Sequence, residues 1–252
     1  MKDTILIDLG DTLVKNKEIE RLYARADFLL IQNSLFDNLI TCFYSLVISV
    51  IASFVCQKKE FVDYGINLFN IMDNSRQKTS IEISLNDYLT KLFEKLGIDK
   101  DLINEKLEEI FYENCEKNEE IKDAQLFLKY LKQKKYLIFI VSNSIFSSKL
   151  LKITLEKFKL LAYIDEVYSS SDLGFRKPSR EISEKVSKEL QLVKEKCLMI
   201  GNDIRIDGGF ATNSDIDFIW FNSKNEQGNC PKMIANINVY TELIEKWGEI
   251  ID

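Results

Sequence analysis

The chain has 252 residues, 46% hydrophobic and 29% charged, with a net charge of −6 and no histidine. That length allows one large domain or two modest ones, and the acidic balance leaves no basic footprint for nucleic acid. The missing histidine excludes Ser-His-Asp and Cys-His nucleophile chemistry and histidine-ligated zinc, so any catalysis must use carboxylates, lysine, hydroxyls or backbone, with a hard metal ion as helper.

The five cysteines are odd in number and show no C-x-x-C spacing, which fits a reducing compartment better than a disulfide framework or a zinc site. Asp3 and Asp8 bracket too short an apolar run for a signal peptide, and the expectation is a cytoplasmic protein.

Thr4 to Ile7 is a short β-branched and aliphatic run that stops at Asp8 and reads as a buried strand. In an open parallel sheet, ligands bind beyond the carboxyl ends of the strands. A carboxylate placed there can attack phosphorus or carbon, or hold a cation. From Lys17 to Asn33, Ile19, Leu22, Tyr23, Ala26, Leu29 and Leu30 recur at helical spacing. Between Asp37 and Lys58 there is no charge, so residues 39–56 are long enough to span a membrane. A single span would put Asp8 on one side and every later strand on the other, and the sheet could not assemble. Ser45, Ser49 and Ser53 also give that helix a small, mildly polar face. The stretch therefore reads as a buried or substrate-facing helix of an inserted domain, with an exposed apolar docking face as the second reading. The nearby aromatics Phe43, Tyr44, Phe54, Phe61 and Tyr64 read as core.

Asp73 to Thr79 reads as a polar loop. Ser84 caps a helix that carries Tyr88, Leu89, Leu92, Phe93 and Leu96 on one face and ends at Gly97. A further helix runs from about Asp101 to Cys115. Residues 15 to about 118 are thus nearly all helix, with no strand alternation, and the pattern changes after them. Helices at 123–134, 146–158, 179–190 and 240–248 alternate with strands at 136–141, 166–169, 197–200 and 217–221. That alternation predicts a doubly wound, mostly parallel α/β domain built from residues 1–14 and 119–252, with residues 15–118 as an inserted α-helical domain.

Polar groups recur where the strands end: Asp8 after the first, Ser142 after the second, and Asn202 with Asp203 after a third. Lys177 sits just ahead of a helix that Pro178 can open. Right-handed crossovers bring such ends to one rim. A carboxylate nucleophile, a hydroxyl, a lysine and further acids on one rim have the chemistry of a phosphate site, because carboxylates hold Mg²⁺ and a lysine offsets phosphoryl charge.

Asp8-Leu-Gly-Asp-Thr12, Val141-Ser-Asn143, Arg176-Lys-Pro178 and Gly201-Asn-Asp-Ile-Arg-Ile-Asp207 resemble, in order and separation, the four motifs of the haloacid dehalogenase-like hydrolases. The resemblance covers residues 1–14 and 120–245; residues 15–118 match in position and helical character, as a cap inserted after the first motif. It implies a Rossmann-like core and Asp8 as a nucleophile that forms an aspartyl-phosphate. It also implies Thr12, Ser142 and Asn143 at the phosphoryl group and Lys177 as the neutralising cation. A Mg²⁺ cofactor would sit on Asp8, the carbonyl of Gly10, Asp203 and Asp207, with Asn202 as a substitute ligand. The implied substrate is a small phosphorylated metabolite, with neither nucleic acid nor membrane as partner and a monomer or homodimer as the assembly.

Two departures stand out. Family phosphatases usually carry a second Asp two residues after the nucleophile, to protonate the leaving group and then activate water. Here that place is Gly10, and Asp11 is one residue too far along. General acid–base help contributes about 10²–10⁴ in rate, so the expectation is slow turnover, a good leaving group, or an acid supplied by the cap. In the fourth motif, Asn202 stands where an acid is usual. Two alternatives follow: a weak or inactive relative serving as a binding module, or a 2-haloacid dehalogenase, which needs neither the second Asp nor a metal. The dull readings are turn capping by Asp8 and Asp11, helix capping by Ser142 and Asn143, and solvation of Lys177.

Overall fold

The computed structural model describes residues 2–16, 58–115 and 118–251. In chain order these form β1 (Thr4–Ile7), β2 (Val14–Asn16), α1 (Lys58–Thr79), α2 (Leu85–Leu96), α3 (Glu105–Cys115), β3 (Asn118–Glu120), α4 (Ala124–Gln133), β4 (Leu137–Ser142), α5 (Ser148–Lys157), β5 (Glu166–Ser169), the single turn α6 (Ser170–Leu173), α7 (Arg180–Glu189), β6 (Cys197–Gly201), α8 (Asp207–Ser214), β7 (Asp217–Phe221), β8 (Met233–Ile237) and α9 (Tyr240–Ile251). The chain divides into two compact units, one of Met1–Lys15, Thr79–Ser84 and Asn118–Asp252, the other of Asn16–Lys78 and Leu85–Lys117.

The first unit is a doubly wound α/β domain. Its six-stranded sheet runs β5-β4-β1-β6-β7-β8, and every neighbouring pair is parallel. The chain builds outward from β1 to β4 and β5, then returns to the other side of β1 for β6, β7 and β8. That return puts a topological switch point at the carboxyl end of β1, where open α/β sheets bind ligands. Because a parallel sheet is covered on both faces, β1 and β6 are buried along their whole length. One face packs Leu6, Met199, Phe218 and Trp220 against Ile182 and Val186 of α7 and Phe210 and Ala211 of α8. On the other face, Tyr240 stacks between Phe127 (4.7 Å) and Phe221 (4.6 Å), and Trp247 meets Phe127 edge-on.

The second unit, as far as it is described, is helical. Leu85, Tyr88, Leu89, Leu92 and Phe93 are buried and follow the i, i+3, i+4, i+7, i+8 pattern of one helix face. Tyr88 meets Phe69 and Phe111. The Gly97 backbone is left-handed (φ 65°), and Ile98 N–H turns back to the Phe93 carbonyl (2.9 Å), the closure that makes glycine the favoured stop.

Three expectations need correction or placement. The polar stretch 73–79 is the carboxyl-terminal part of α1 and not a loop. Asp73 accepts from Arg76 and Gln77, so its polar residues satisfy one another at helical spacing. Strand β8 was missed, because it is an edge strand of mostly part-exposed or exposed residues whose apolar run, Met233-Ile-Ala235, is short. The apolar helix expected at 39–56 lies outside the described residues; among those that are described, no helix is long and apolar enough to cross a membrane.

The α9 helix also reaches the loop after β1. The buried Tyr240 hydroxyl donates to the Thr12 carbonyl (2.9 Å). A net intramolecular hydrogen bond contributes about 0.5–1.5 kcal/mol, so Tyr240→Phe should lower the unfolding free energy by about 1 kcal/mol in urea with the m-value unchanged.

Candidate active site

Asp8 follows the central strand directly, and its N–H donates to the Ile200 carbonyl (2.9 Å), which fixes it to the neighbouring strand. The chain then turns tightly. Leu13 and Val14 both donate N–H to the Leu9 carbonyl (2.9 and 3.1 Å), and the turn brings the Thr12 hydroxyl to 3.3 Å from Asp8 Oδ2.

Lys177 arrives from the loop ahead of α7, and the first residue beyond β4 fastens it there. The Lys177 N–H donates to Asn143 Oδ1 (2.8 Å), and Asn143 Nδ2 donates to the Lys177 carbonyl (2.9 Å). With its backbone held at both ends, the Lys177 side chain is wholly buried and donates from Nζ to Asp8 Oδ1 (2.7 Å) and Asp207 Oδ1 (2.6 Å).

Asp207 opens α8. Its Oδ2 accepts the N–H of Asp203 (3.0 Å). The carboxylate lies flat against Gly201: a Cβ added there would fall 2.3 Å from the Asp207 Cγ, so only glycine can end β6 beside this acid.

Asp203 is engaged locally. Its Oδ1 accepts the N–H groups of Arg205 (2.8 Å) and Ile206 (3.1 Å), which closes the turn into α8 as an Asx motif. Ser142 is the buried last residue of β4, in register with Ser169. Asn143 does not cap the next helix; Ser147 does, accepting from Leu150 N–H. Asp11 has a left-handed backbone (φ 54°), and its carboxylate lies 3.9 Å from the Lys224 amine.

The structure thus brings Asp8, Thr12, Lys177 and Asp207 into one cluster, with Asn143 on the Lys177 backbone, while Asp203 holds the adjoining turn. Sequence reasoning missed Tyr240 on the Thr12 loop. It also missed Glu82, which ion-pairs with Arg176 one residue before Lys177 (3.1 Å). Neither sits in a motif, and Glu82 lies within the insert, so no local pattern pointed to it.

Two carboxylates and one ammonium are buried together, which leaves one net negative charge before any substrate arrives. Burial alone would lower the Lys177 pKa, but the charges and hydrogen bonds of Asp207 and Asp8 outweigh it and hold the ammonium protonated above its ordinary range. Burial pushes Asp207 up to about 7, against the pull of Lys177 and with the charge of Asp8 adding to the rise. The site therefore takes up either a proton or a further cation. Its donors are all oxygen: two carboxylates and, at the Asp8 turn, the Gly10 carbonyl. That set suits Mg²⁺, which needs only one or two carboxylates and keeps waters in its remaining positions. Among the described residues, no group of three or more acidic, Cys or His side chains forms a metal cage.

Comparison with known proteins gives the following. A family-wide profile of haloacid dehalogenase-like hydrolases matches residues 55–221, more than half of the chain. A pyrimidine 5'-nucleotidase of Streptococcus pneumoniae is 27% identical over 173 residues, 67% of this chain and 71% of that protein. A glyceraldehyde 3-phosphate phosphatase of Methanothermobacter thermautotrophicus is 32% identical over 97 residues, 37% of this chain and 41% of that protein. The solved structure of a 2-haloacid dehalogenase from Pseudomonas syringae superposes over 99% of both chains with a TM-score of 0.66 at 16% identity, a likeness of fold.

The raised Asp207 pKa has a measurable consequence. The unfolded residue titrates near pH 4, so between about pH 4 and pH 7 the folded protein keeps a proton that the unfolded chain has lost, and stability falls as pH rises. In chelator, the unfolding free energy of the native chain should decline across that window more steeply than that of Asp207→Asn, by up to about 1.4 kcal/mol per pH unit. Parallel declines in urea titrations would contradict this.

Proposed function

Because the chain belongs to the haloacid dehalogenase-like hydrolase family, we propose that it is a Mg²⁺-dependent phosphohydrolase that cleaves a small phosphorylated metabolite through an aspartyl-phosphate on Asp8. The observation that carries this reading is the buried Lys177 ammonium, 2.7 Å from Asp8 and 2.6 Å from Asp207. A lysine so placed stabilises the folded charge cluster and offsets the negative charge that a phosphoryl group brings to it. The names of the two curated relatives, a nucleotidase and a phosphatase, support a phosphate monoester as the substrate class.

In the first step the Asp8 carboxylate attacks phosphorus, and the bond to the leaving oxygen breaks. In the second, water attacks the same phosphorus, and phosphate leaves with Asp8 regenerated. Thr12 and Ser142 donate hydroxyl hydrogen bonds to the phosphoryl oxygens, and Asn143 keeps Lys177 in place. Asp8, the Gly10 carbonyl and Asp207 would hold Mg²⁺, with Asp203 behind them because one of its oxygens closes the turn. The cation would supply charge neutralisation for the phosphoryl oxygens. The helical insert, residues 15–118, is read as the cap that sets specificity and excludes water during the reaction.

The weak point of the site is the leaving group. Asp11 faces Lys224, and Gly10 brings no acid, so proton delivery falls to water or to the cap and turnover is slow. The site itself has room for the missing group, because a Cβ on Gly10 would meet nothing within 4 Å.

Two tests follow. Asp8→Asn should abolish hydrolysis of p-nitrophenyl phosphate while leaving the thermal midpoint near that of the parent. Chelator should silence the parent, and activity that survives it would point to metal-free dehalogenase chemistry. Gly10→Asp should raise kcat on an alkyl phosphate, whose leaving group needs a proton, by tenfold or more, against the roughly 10²–10⁴ typical of general acid catalysis. An unchanged kcat would remove Gly10 as the cause of slow turnover.

A further inference from the structure

The segment between α1 and α2 inverts the usual pattern of burial. Ile81 is 53% exposed, whereas the neighbouring Glu82 is 6% exposed. A buried acid is the informative observation in such a pair. Its setting is a short antiparallel contact: Ile81 bridges Phe175, Glu82 N–H donates to the Gly174 carbonyl (3.0 Å), and Arg176 N–H donates to the Ser80 carbonyl (2.9 Å). The pairing ends one residue before Lys177.

The Glu82 carboxylate then reaches both sides of the lysine's anchorage. Oε2 accepts from Arg176 Nη1 (3.1 Å) and from Ser170 Oγ (2.5 Å). Oε1 accepts from Ile83 N–H (3.0 Å). An ionised carboxylate only accepts, so the one proton of Ser170 goes to Glu82, and a lone pair of the same oxygen is left to accept Ser144 N–H (2.8 Å). Ser144 directly follows Asn143, whose amide holds the Lys177 backbone. One side chain therefore braces Arg176, the residue before Lys177, and Ser144, the residue after its clamp. A buried ion pair contributes little net stability over a well-packed apolar pair, so stability alone does not account for a charge here.

We propose that Glu82 is a positioning residue for Lys177: a carboxylate from within the helical insert's sequence that fixes the two backbone stretches from which the lysine reaches Asp8 and Asp207. This rests on the phosphohydrolase reading. It gives the support of the charge centre to a short stretch, Thr79–Ser84, that lies within the insert's sequence but belongs to the compact α/β unit.

The test uses the full chain with p-nitrophenyl phosphate and Mg²⁺. E82Q keeps the shape and can still accept from Ser170, but it loses the charge that holds Arg176. Displacement of a reacting group by about 1 Å costs up to about 10²-fold. The expected result is a fall in kcat of about tenfold or more with KM within about threefold, at a thermal midpoint near the parent's, which is the signature of an interaction that counts in the transition state. R176K should lose about threefold in kcat, and E82Q/R176K should lose no more than E82Q, because the two act as one unit. A parental kcat in folded E82Q, or an effect on KM alone, overturns the proposal. Should E82Q fail to fold, R176K decides, and a parental kcat there overturns it equally. Asp8→Asn separates the two levels: if it stays active, the phosphohydrolase reading falls and this proposal with it. If it is dead while E82Q is fully active, only the role of Glu82 falls.

Discussion

The lysine shared by two carboxylates is the interaction on which the rest of the site depends. Lys177 Nζ lies within 2.7 Å of Asp8 and Asp207, and all three side chains are nearly shut off from water. Taking such charges out of water costs several kcal/mol per ion, and the cost is tolerable only when every partner is held in place. The fold meets that demand from three directions. The switch point of the sheet sets Asp8 at the end of β1, the Asn143 amide grips the lysine backbone, and the bare Gly201 lets Asp207 lie against β6. Removing any one of these supports leaves a buried charge without its counterpart.

The same arrangement explains why the cluster is unfinished as it stands. With one ammonium for two carboxylates, the site keeps an excess of negative charge; the upward push on Asp207 comes first from burial, with the charge of Asp8 adding to it against the pull of Lys177. A proton can answer it, but a protonated Asp207 is a poorer partner for both the lysine and a metal. A hard cation answers it without that loss and also prepares the site for an anionic substrate. The burial of Asp207 beside Asp8 thus leaves a charge that either a proton or a hard cation would balance.

Most of the α/β unit was legible because its signals are local. Buried parallel strands are continuous apolar runs, and Ile5 to Ile7, Ile138 to Val141 and Leu198 to Ile200 announce themselves by composition. Asp8 was legible because it stands where such a run stops, and Asp203 because it follows just past one; Lys177 and Asp207 lie away from any apolar run and were legible through the motifs that resemble the family's. What escaped lies beyond local pattern. Strand β8 has only the short apolar run Met233-Ile-Ala235, since the sheet edge asks little burial of it. The stretch 73–79 looks like a loop by its residue types, yet Asp73 satisfies Arg76 and Gln77 only once a helix brings them to it. Asn143 read equally well as a cap, and its grip on Lys177 spans 34 positions of sequence. Glu82 is the extreme case: its partners Ser170 and Arg176 are 88 and 94 positions away, and nothing beside it in the chain distinguishes it from a solvated glutamate.

Why an acid one residue out of place cannot simply lean across is a matter of backbone geometry. Asp11 occupies the left-handed region, where its N–H donates to the Val14 carbonyl (2.7 Å) and closes the turn. Leu13 and Val14 both hang from the Leu9 carbonyl, and Tyr240 pins the Thr12 carbonyl from the far side. Moving the Asp11 backbone toward Asp8 would break that turn and withdraw the Thr12 hydroxyl from the nucleophile. The backbone hydrogen bonds of the loop keep Thr12 beside Asp8. At Gly10 an added Cβ would meet nothing within 4 Å, so an acidic side chain could start there without displacing its neighbours. The chain thus combines a buried charge centre with a turn that sets the Asp11 carboxylate beside Lys224.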